Sequence, residues 1–248
     1  DDNTLNAVGD DLAGCYVMTQ DIDLGYQQYN SSLIGSAATP FLGLFDGGGY
    51  SIRRLNIDSS GDQLGLFGVL SSQDGLQGQV RNVTLKDAII DGAGSAVGAL
   101  CGQNISGLIE MCGVVGADVA GDNRVGLICG YNNSVIRYCS AEGTVSGNYR
   151  VGLLTGNSYN GTIEDCYAVG DIAMTGDEAN SAGGISGDSN ASSISRTFAS
   201  CSISGSGNYF GSFCGWAASS SFDNCFSNQE TFGTSLGASG GGNTGNIN

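Results

Sequence analysis

The sequence predicts an all-β protein, a single β-solenoid (parallel β-helix-like) of about six to eight coils with an N-terminal cap. A short apolar-glycine block recurs about every 26 to 33 residues, which is the mark of a repeat architecture. Each unit holds three β-prone pieces of strand length, too short for helices. Gly contributes 43 residues and Pro one. Gly suits corners with positive φ or close backbone approach, whereas Pro removes a hydrogen-bond donor from a ladder.

The first piece of each unit is the apolar-glycine block. In its fullest form it reads Val-Gly-Leu-Ile-Cys-Gly at 125–130. Its six copies lie at 64–68, 97–102, 125–130, 151–156, 183–187 and 210–215. One coil cannot bury its own apolar face, so stacked neighbours are expected to cover it at the spacing of strands in a sheet, about 4.8 Å.

The second piece ends in cysteine in most units, as in Ile-Arg-Tyr-Cys at 136–139. The third follows four residues later, as in Gly-Thr-Val-Ser-Gly at 143–147. The unit at 183–209 departs from this pattern, because Thr197 replaces the cysteine and Cys201 replaces a glycine. We therefore expect a distorted coil there.

These blocks resemble the GLUG-motif repeats of microbial surface and secreted proteins, and Gly65–Gly68 is the nearest literal match. Residues 16–24 and 41–52 resemble the segment that leads into such arrays. The resemblance implies a repeat module of the kind found in adhesins, large secreted proteins and some IgA-cleaving metallopeptidases. The peptidase domain itself would need a His-Glu-x-x-His site, and this chain has no His.

The chain divides into three predicted regions. Residues 1–63 form an N-terminal cap with irregular first coils, residues 64–236 the GLUG-like solenoid, and residues 237–248 a Gly-rich tail. The tail, from Gly237 to Asn248, is the candidate assembly element, because a free strand could continue the ladder of a neighbouring subunit. Its removal is then expected to abolish polymerisation.

Composition excludes several classes of function. Without His there is no Ser-His-Asp or Cys-His site and no His-bearing zinc site. A net charge of −16 with Lys86 as the single lysine argues against nucleic acid and anionic membranes. No apolar run is long enough to span a bilayer. Nine Cys and a Gly-, Ser- and Asn-rich composition favour a secreted, cell-surface protein whose leader has been removed.

Cysteines supply the first candidate sites. Because they occur together in three units, the sequence predicts three intra-coil disulfides, Cys101–Cys112, Cys129–Cys139 and Cys214–Cys225. Two alternatives stay open. Cysteine could act as a small buried hydrophobe in a thiol ladder, or vertical neighbours such as Cys112 and Cys139 could pair.

Asparagines supply the second candidate sites. Asn-x-Ser/Thr triplets at Asn104, Asn132, Asn160 and Asn190 lie in the same loop of successive units, so glycans there would form a stripe.

Acidic and aromatic residues have a structural and a functional interpretation. Asp21, Asp23 and Asp46 fit turn chemistry, with a calcium site or a glycosidase pair as alternatives. Recurrent tyrosines either cover the backbone at corners or stack on sugars; they are Tyr131, Tyr138, Tyr149, Tyr159, Tyr167 and Tyr209.

The sequence as a whole favours a non-catalytic extracellular structural protein, a subunit of a surface assembly or filament that self-associates head to tail. An adhesin module that binds a glycan or a protein is the alternative, ahead of a polysaccharide-active enzyme or an ice-binding protein. No catalytic residue, metal site or cofactor is expected, although the acidity could recruit Ca²⁺ between molecules. The expected partners are other copies of the chain, other surface proteins and glycans.

Overall fold

The computed structural model describes residues 5–176, 180–228 and 244–247. It confirms the predicted fold, a parallel β-solenoid of about eight turns. Helical residues among those described lie at the N-terminal end, at 5–6 and in the 3₁₀ helix Ala7–Asp10. No helix among the described residues has the length and apolar character needed to cross a membrane. Gly237 and Asn248 lie outside the described residues.

Sheet A runs the full length of the solenoid. Each strand pairs in parallel with the equivalent strand of the next coil. Its strands are Cys15–Val17, Leu44–Asp46, Gln79–Arg81, Leu108–Glu110, Val135–Arg137, Thr162–Glu164, Ser193–Ser195, Ser221–Ser227 and Thr244–Ile247.

Sheet B follows sheet A around each coil. In the first coils it consists of two short strands, which merge into one long strand from Gly113 onwards. Its strands are Ile22–Asp23, Gln28–Tyr29, Ser51–Arg53, Asn56–Ser59, Thr84–Lys86, Ile89–Gly92, Gly113–Ala120, Ser140–Gly147, Tyr167–Met174 and Phe198–Ser204.

Sheets C and D close each coil and are built from the apolar-glycine block. Sheet D comprises Ser95–Gly98, Asn123–Gly126, Tyr149–Gly152, Ser181–Gly183 and Tyr209–Gly211. Sheet C comprises Phe67–Leu70, Cys101–Asn104, Cys129–Asn132, Thr155–Tyr159, Ser186–Asn190 and Cys214–Ala218. A small antiparallel hairpin, Ser72–Gln73 with Leu76–Gln77, projects from one corner.

The core consists of identical positions stacked coil upon coil. Ile136 in sheet A is fully buried and lies in register with Ile109 below it and Ile163 above it. The whole sheet A ladder is buried: Phe45, Val80, Ile109, Ile136, Ile163, Ile194 and Phe222. Because every coil covers the apolar face of the next, short strands with a thin apolar content suffice to form a continuous core.

Corners with positive φ are occupied mainly by residues other than glycine, contrary to the expectation from composition. From the strand Gln79–Arg81 to the strand Ser193–Ser195, the residue that follows each sheet A strand is left-handed, with φ of 52° at Met111, 56° at Tyr138 and 54° at Asp165. The motif glycines instead allow the backbones of neighbouring strands to approach closely. A Cβ on Gly126, whose φ is not positive, would lie 2.6 Å from the Cys129 carbonyl oxygen and 2.8 Å from the Gly156 nitrogen.

The coil at 183–209 is regular, so the expected distortion is wrong. Its sheet A strand keeps register with both neighbours. The Thr197 hydroxyl donates a hydrogen bond to the Ser195 carbonyl at 2.8 Å. The Cys166 thiol donates to the Glu164 carbonyl in the same way, so threonine replaces cysteine without changing the local geometry.

Both ends of the solenoid carry covering elements. Leu5 and Val8, around the 3₁₀ helix, are buried in the apolar core of the first coil and form the cap. At the other end, Thr244–Ile247 pairs in parallel with Ser221–Ser227. This part of the tail therefore extends sheet A of its own chain.

Candidate functional site

The structure contains none of the three predicted disulfides. All nine cysteines are free thiols. Cys101 begins a sheet C strand, whereas Cys112 follows a sheet A strand, so the two belong to different walls of the coil. Thiol contacts instead run along the solenoid axis. Cys101 is in register with Cys129, and the backbone N–H of Cys139 donates to the Cys166 sulfur at 3.4 Å.

These buried thiols act as small hydrogen-bond donors to backbone carbonyl oxygens. In sheet C, Cys129 and Cys214 donate to the carbonyl two residues ahead at 3.1 and 3.2 Å, and Ser186 makes the equivalent bond at 2.6 Å. Burial raises the pKa of the Cys101 and Cys139 thiols well above the ordinary value. A buried thiol with a raised pKa forms little thiolate and is chemically inert.

Counting thiols distinguishes the ladder from the disulfides. With an aromatic disulfide reagent and no reductant, the native protein is expected to expose one fast-reacting thiol, Cys15, because the other eight are buried. In denaturant all nine should react. Three intra-coil disulfides would leave three reactive thiols in denaturant, a result that would contradict the ladder.

The four glycosylation candidates divide into two buried and two accessible side chains. Asn104 and Asn132 are 0% exposed. The Asn104 amide donates to the Asn132 side-chain oxygen at 2.9 Å, inside sheet C. A glycan on either is incompatible with this structure, so the predicted stripe is wrong at these positions. Asn160 is exposed and Asn190 is half-buried, and their modification stays a prediction.

The candidate acidic residues bind arginines and backbone amides. Asp21 accepts from Ser51 N–H at 2.8 Å, Asp23 forms an ion pair with Arg54, and Asp46 accepts from Gly48 N–H at 2.9 Å. Hydrogen bonds from these backbone and arginine N–H groups lower the pKa of all three carboxyls. Among the described residues, no group of three or more Cys, Asp or Glu is placed to hold a metal ion.

A groove on the outer face of sheets C and D gathers the polar and aromatic side chains. Its two lobes each have a volume of about 330 Å³. They share Arg150, Asp188 and Asn190. The other residues that line them are Arg124, Tyr131, Tyr149, Asn157, Tyr159, Ser181, Tyr209 and Trp216. We call this surface the sheet C groove.

Strand register builds this groove. Tyr131, Asn157, Asp188 and Trp216 occupy one outward position of four successive sheet C strands. At about 4.8 Å per strand, this row is about 14 Å long. The sequence pointed to four of the groove's tyrosines but missed Asp188, Arg124 and Trp216. The available signal was position relative to the motif: Asp188 and Trp216 each directly follow the last glycine of a block, and Arg124 directly precedes the first valine of one.

The electrostatics of the groove are unusual for this acidic chain. Arg150 Nε donates to Asp188 Oδ2 at 3.0 Å. The other oxygen, Asp188 Oδ1, is buried without a hydrogen-bond partner, and so is Arg124 Nε. The Arg124 guanidinium lies 5.0 Å from the centre of the Tyr131 ring. Burial raises the pKa of the Asp188 carboxyl, and Arg150 opposes that shift.

The remaining candidate tyrosines lie elsewhere. Tyr138 is 53% exposed at the corner after sheet A. Tyr167 stacks in register with Phe198 and Phe226 on the outside of sheet B. The structure therefore separates the tyrosines into groove residues and residues on other walls.

Comparison with known proteins agrees with this architecture. The GLUG motif matches residues 121–146 and 147–173. Halomucin of Haloquadratum walsbyi (strain DSM 16790 / HBSQ001) is 35% identical over 154 residues, which is 58% of this chain. The chain spans 1% of the length of halomucin.

One solved structure is similar over nearly the whole chain. It is the crystal structure of a candidate immunoglobulin A1 protease from Bacteroides ovatus, with a TM-score of 0.79 and 24% identity, covering 99% of this chain and 80% of that one. At this identity the likeness shows the fold alone. The predicted GLUG resemblance is confirmed, and a surface or secreted repeat protein fits the motif matches and the likeness to halomucin. The chain carries GLUG-motif repeats, folded as successive coils of a parallel β-solenoid.

Proposed function

We propose that this chain is a non-catalytic structural module of an extracellular microbial surface protein or assembly. The observation that carries the proposal is the uninterrupted ladder of sheet A, in which each strand from Cys15–Val17 to Ser221–Ser227 bonds to the next. Such a ladder gives a stiff element whose length is set by the number of coils. The likeness to halomucin and the GLUG repeats support a surface location.

The carboxylates that resembled a glycosidase pair support a structural role. Asp21 is paired with Arg53, Asp23 with Arg54 and Asp46 with Arg81, each across one coil interface. Asp23 and Asp46 also accept from backbone N–H groups of their own turns, at Gly25 and Gly48, so these carboxylates bind both their own turn and the neighbouring coil. We therefore propose that they stabilise the stack and that the module needs no cofactor.

Contacts with other copies are proposed to form at the C-terminal end. There the sheet A edge is covered by Thr244–Ile247. Without that strand, Ser221–Ser227 would present an open edge of sheet A. Open strand edges template pairing with another chain.

A chain truncated after Asn228 tests whether copies associate through the C-terminal end of the solenoid. Its sheet A edge loses the covering strand, so we expect end-to-end assemblies that grow with concentration, while the full chain at the same concentration and salt stays smaller. Sedimentation velocity gives the mass, and negative-stain electron microscopy gives the shape. A shortened chain that stays monomeric at every concentration would contradict end-to-end association.

A further inference from the structure

We propose that the sheet C groove is a binding site for a neutral glycan, a chain of hexose units with free vicinal hydroxyls. This goes beyond the structural role, because a stiff module needs no such site. Two residues that line one lobe of the groove, Asp188 and Arg124, each hold a buried polar atom without a partner, Oδ1 and Nε. Buried polar groups are nearly always paired, so an orphaned acceptor and an orphaned donor in one groove point to a ligand that supplies both.

A vicinal diol has the matching chemistry. One hydroxyl can donate to Asp188 Oδ1, and the neighbouring oxygen can accept from Arg124 Nε. The Asp188 carboxylate is held in place by Arg150 through its other oxygen, and Arg150 is itself bonded to Asn123 at 3.2 Å. Groups fixed before binding lose little conformational entropy on binding, which favours a specific polar contact.

Arg124 is the arginine without a salt-bridge partner among the described residues, although its charge opposes the rise in the pKa of the Asp188 carboxyl. Among the described residues, every other arginine forms an ion pair with a carboxylate. Arg124 instead lies over the Tyr131 ring. In a chain with eight basic residues and a net charge of −16, an unpaired cation inside a groove is an exception that the fold alone does not require.

Aromatic side chains provide the apolar contact that a sugar ring needs. Trp216 lies next to Asp188 in the outward row, and Tyr131 lies at the other end of that row. Exposed Tyr149 and Tyr209 flank the groove from sheet D. A row of about 14 Å accommodates a short run of sugar units rather than one ring. The overall negative charge repels polyanions, which is why we propose a neutral glycan.

Trp216 is the single tryptophan of the chain, so its fluorescence reports on the groove directly. We would titrate the full chain with maltohexaose, cellohexaose, mannohexaose and, as an acidic probe, hyaluronan hexasaccharide. A saturable change in emission with at least one neutral probe is expected. Absence of any saturable change with all of them, or a response to hyaluronan alone, would overturn the proposal.

Substitutions then locate the site. Asp188→Asn removes the charge and keeps the shape, so it should stay folded by circular dichroism and weaken binding about tenfold or more, because hydrogen bonds to charged groups are strong. In native gels that contain the matching polysaccharide, the Trp216→Ala variant should be retarded less than the parent chain. Tyr138→Ala, an exposed tyrosine outside the groove, is the matched control and should bind as the parent does. Equal affinity of the parent and Asp188→Asn would place the site elsewhere.

Discussion

Gly126→Ala is expected to destabilise the protein by about 3 kcal/mol, the upper part of the usual range for overpacking. The added Cβ would lie 2.6 Å from the Cys129 carbonyl oxygen and 2.8 Å from the Thr155 Cα. These are backbone atoms of the same coil and the next, so relief requires the coils to move apart. That movement would lengthen the hydrogen bonds of sheets C and D together.

Urea unfolding followed by circular dichroism measures this loss. Gly9→Ala is the matched control, because Gly9 lies in the 3₁₀ helix and no heavy atom lies within 4 Å of its added Cβ. A change within about 0.5 kcal/mol is expected there, as for ordinary surface substitutions. If Gly126→Ala unfolded at the same urea concentration as Gly9→Ala, close coil contact would not be the reason for the motif glycines.

The solenoid could be predicted from the sequence because the repeat shows both the length of each strand and the number of residues in each coil. The recurrence of Val-Gly-x-x-x-Gly predicted which residues stack, as Val97, Val125 and Val151 do in sheet D. Those valines are buried as the pattern requires. A period therefore determines the contacts between coils, since each coil repeats the environment of the last.

A period does not determine which walls of one coil face each other. Cys101 and Cys112 occur together because both occupy inward positions that favour a small donor, as Ser186 and Thr197 show at the same two positions of a later unit. Co-occurrence in sequence suggested a bond, whereas the physical cause is a shared packing requirement. Strand register along the solenoid axis determines which side chains each thiol contacts.

The buried asparagines and the groove residues lie on opposite faces of sheet C, because successive side chains of a strand alternate between its two faces. Asn132 points inward, and Tyr131, one residue earlier, points outward into the groove. An Asn-x-Ser triplet contains no information about the direction of its side chain. Likewise, Asp188 and Trp216 lie 28 residues apart in sequence and become neighbours only through strand pairing.

Asn132→Ala is expected to cost about 3 kcal/mol, because it removes a fully buried amide from sheet C. The Asn132 side-chain oxygen accepts from the Asn104 amide at 2.9 Å, and its own amide donates to the Ser134 carbonyl at 3.1 Å. Truncation leaves both partners short of a bond in a dry interior, and each unsatisfied group costs about 1–3 kcal/mol. Urea unfolding at neutral pH measures the loss.

Asn132→Ser is the matched control, because the next two coils carry Ser158 and Ser189 at the same register position. Both are fully buried, and the Ser158 hydroxyl already bonds to Ser192 at 3.1 Å. A serine hydroxyl can still accept from Asn104, so this variant is expected to lose about 1 kcal/mol, the worth of one hydrogen bond. Equal losses for alanine and serine would assign the effect to lost volume rather than to the polar ladder. No loss in either variant would mean that the buried amides contribute nothing to the stack.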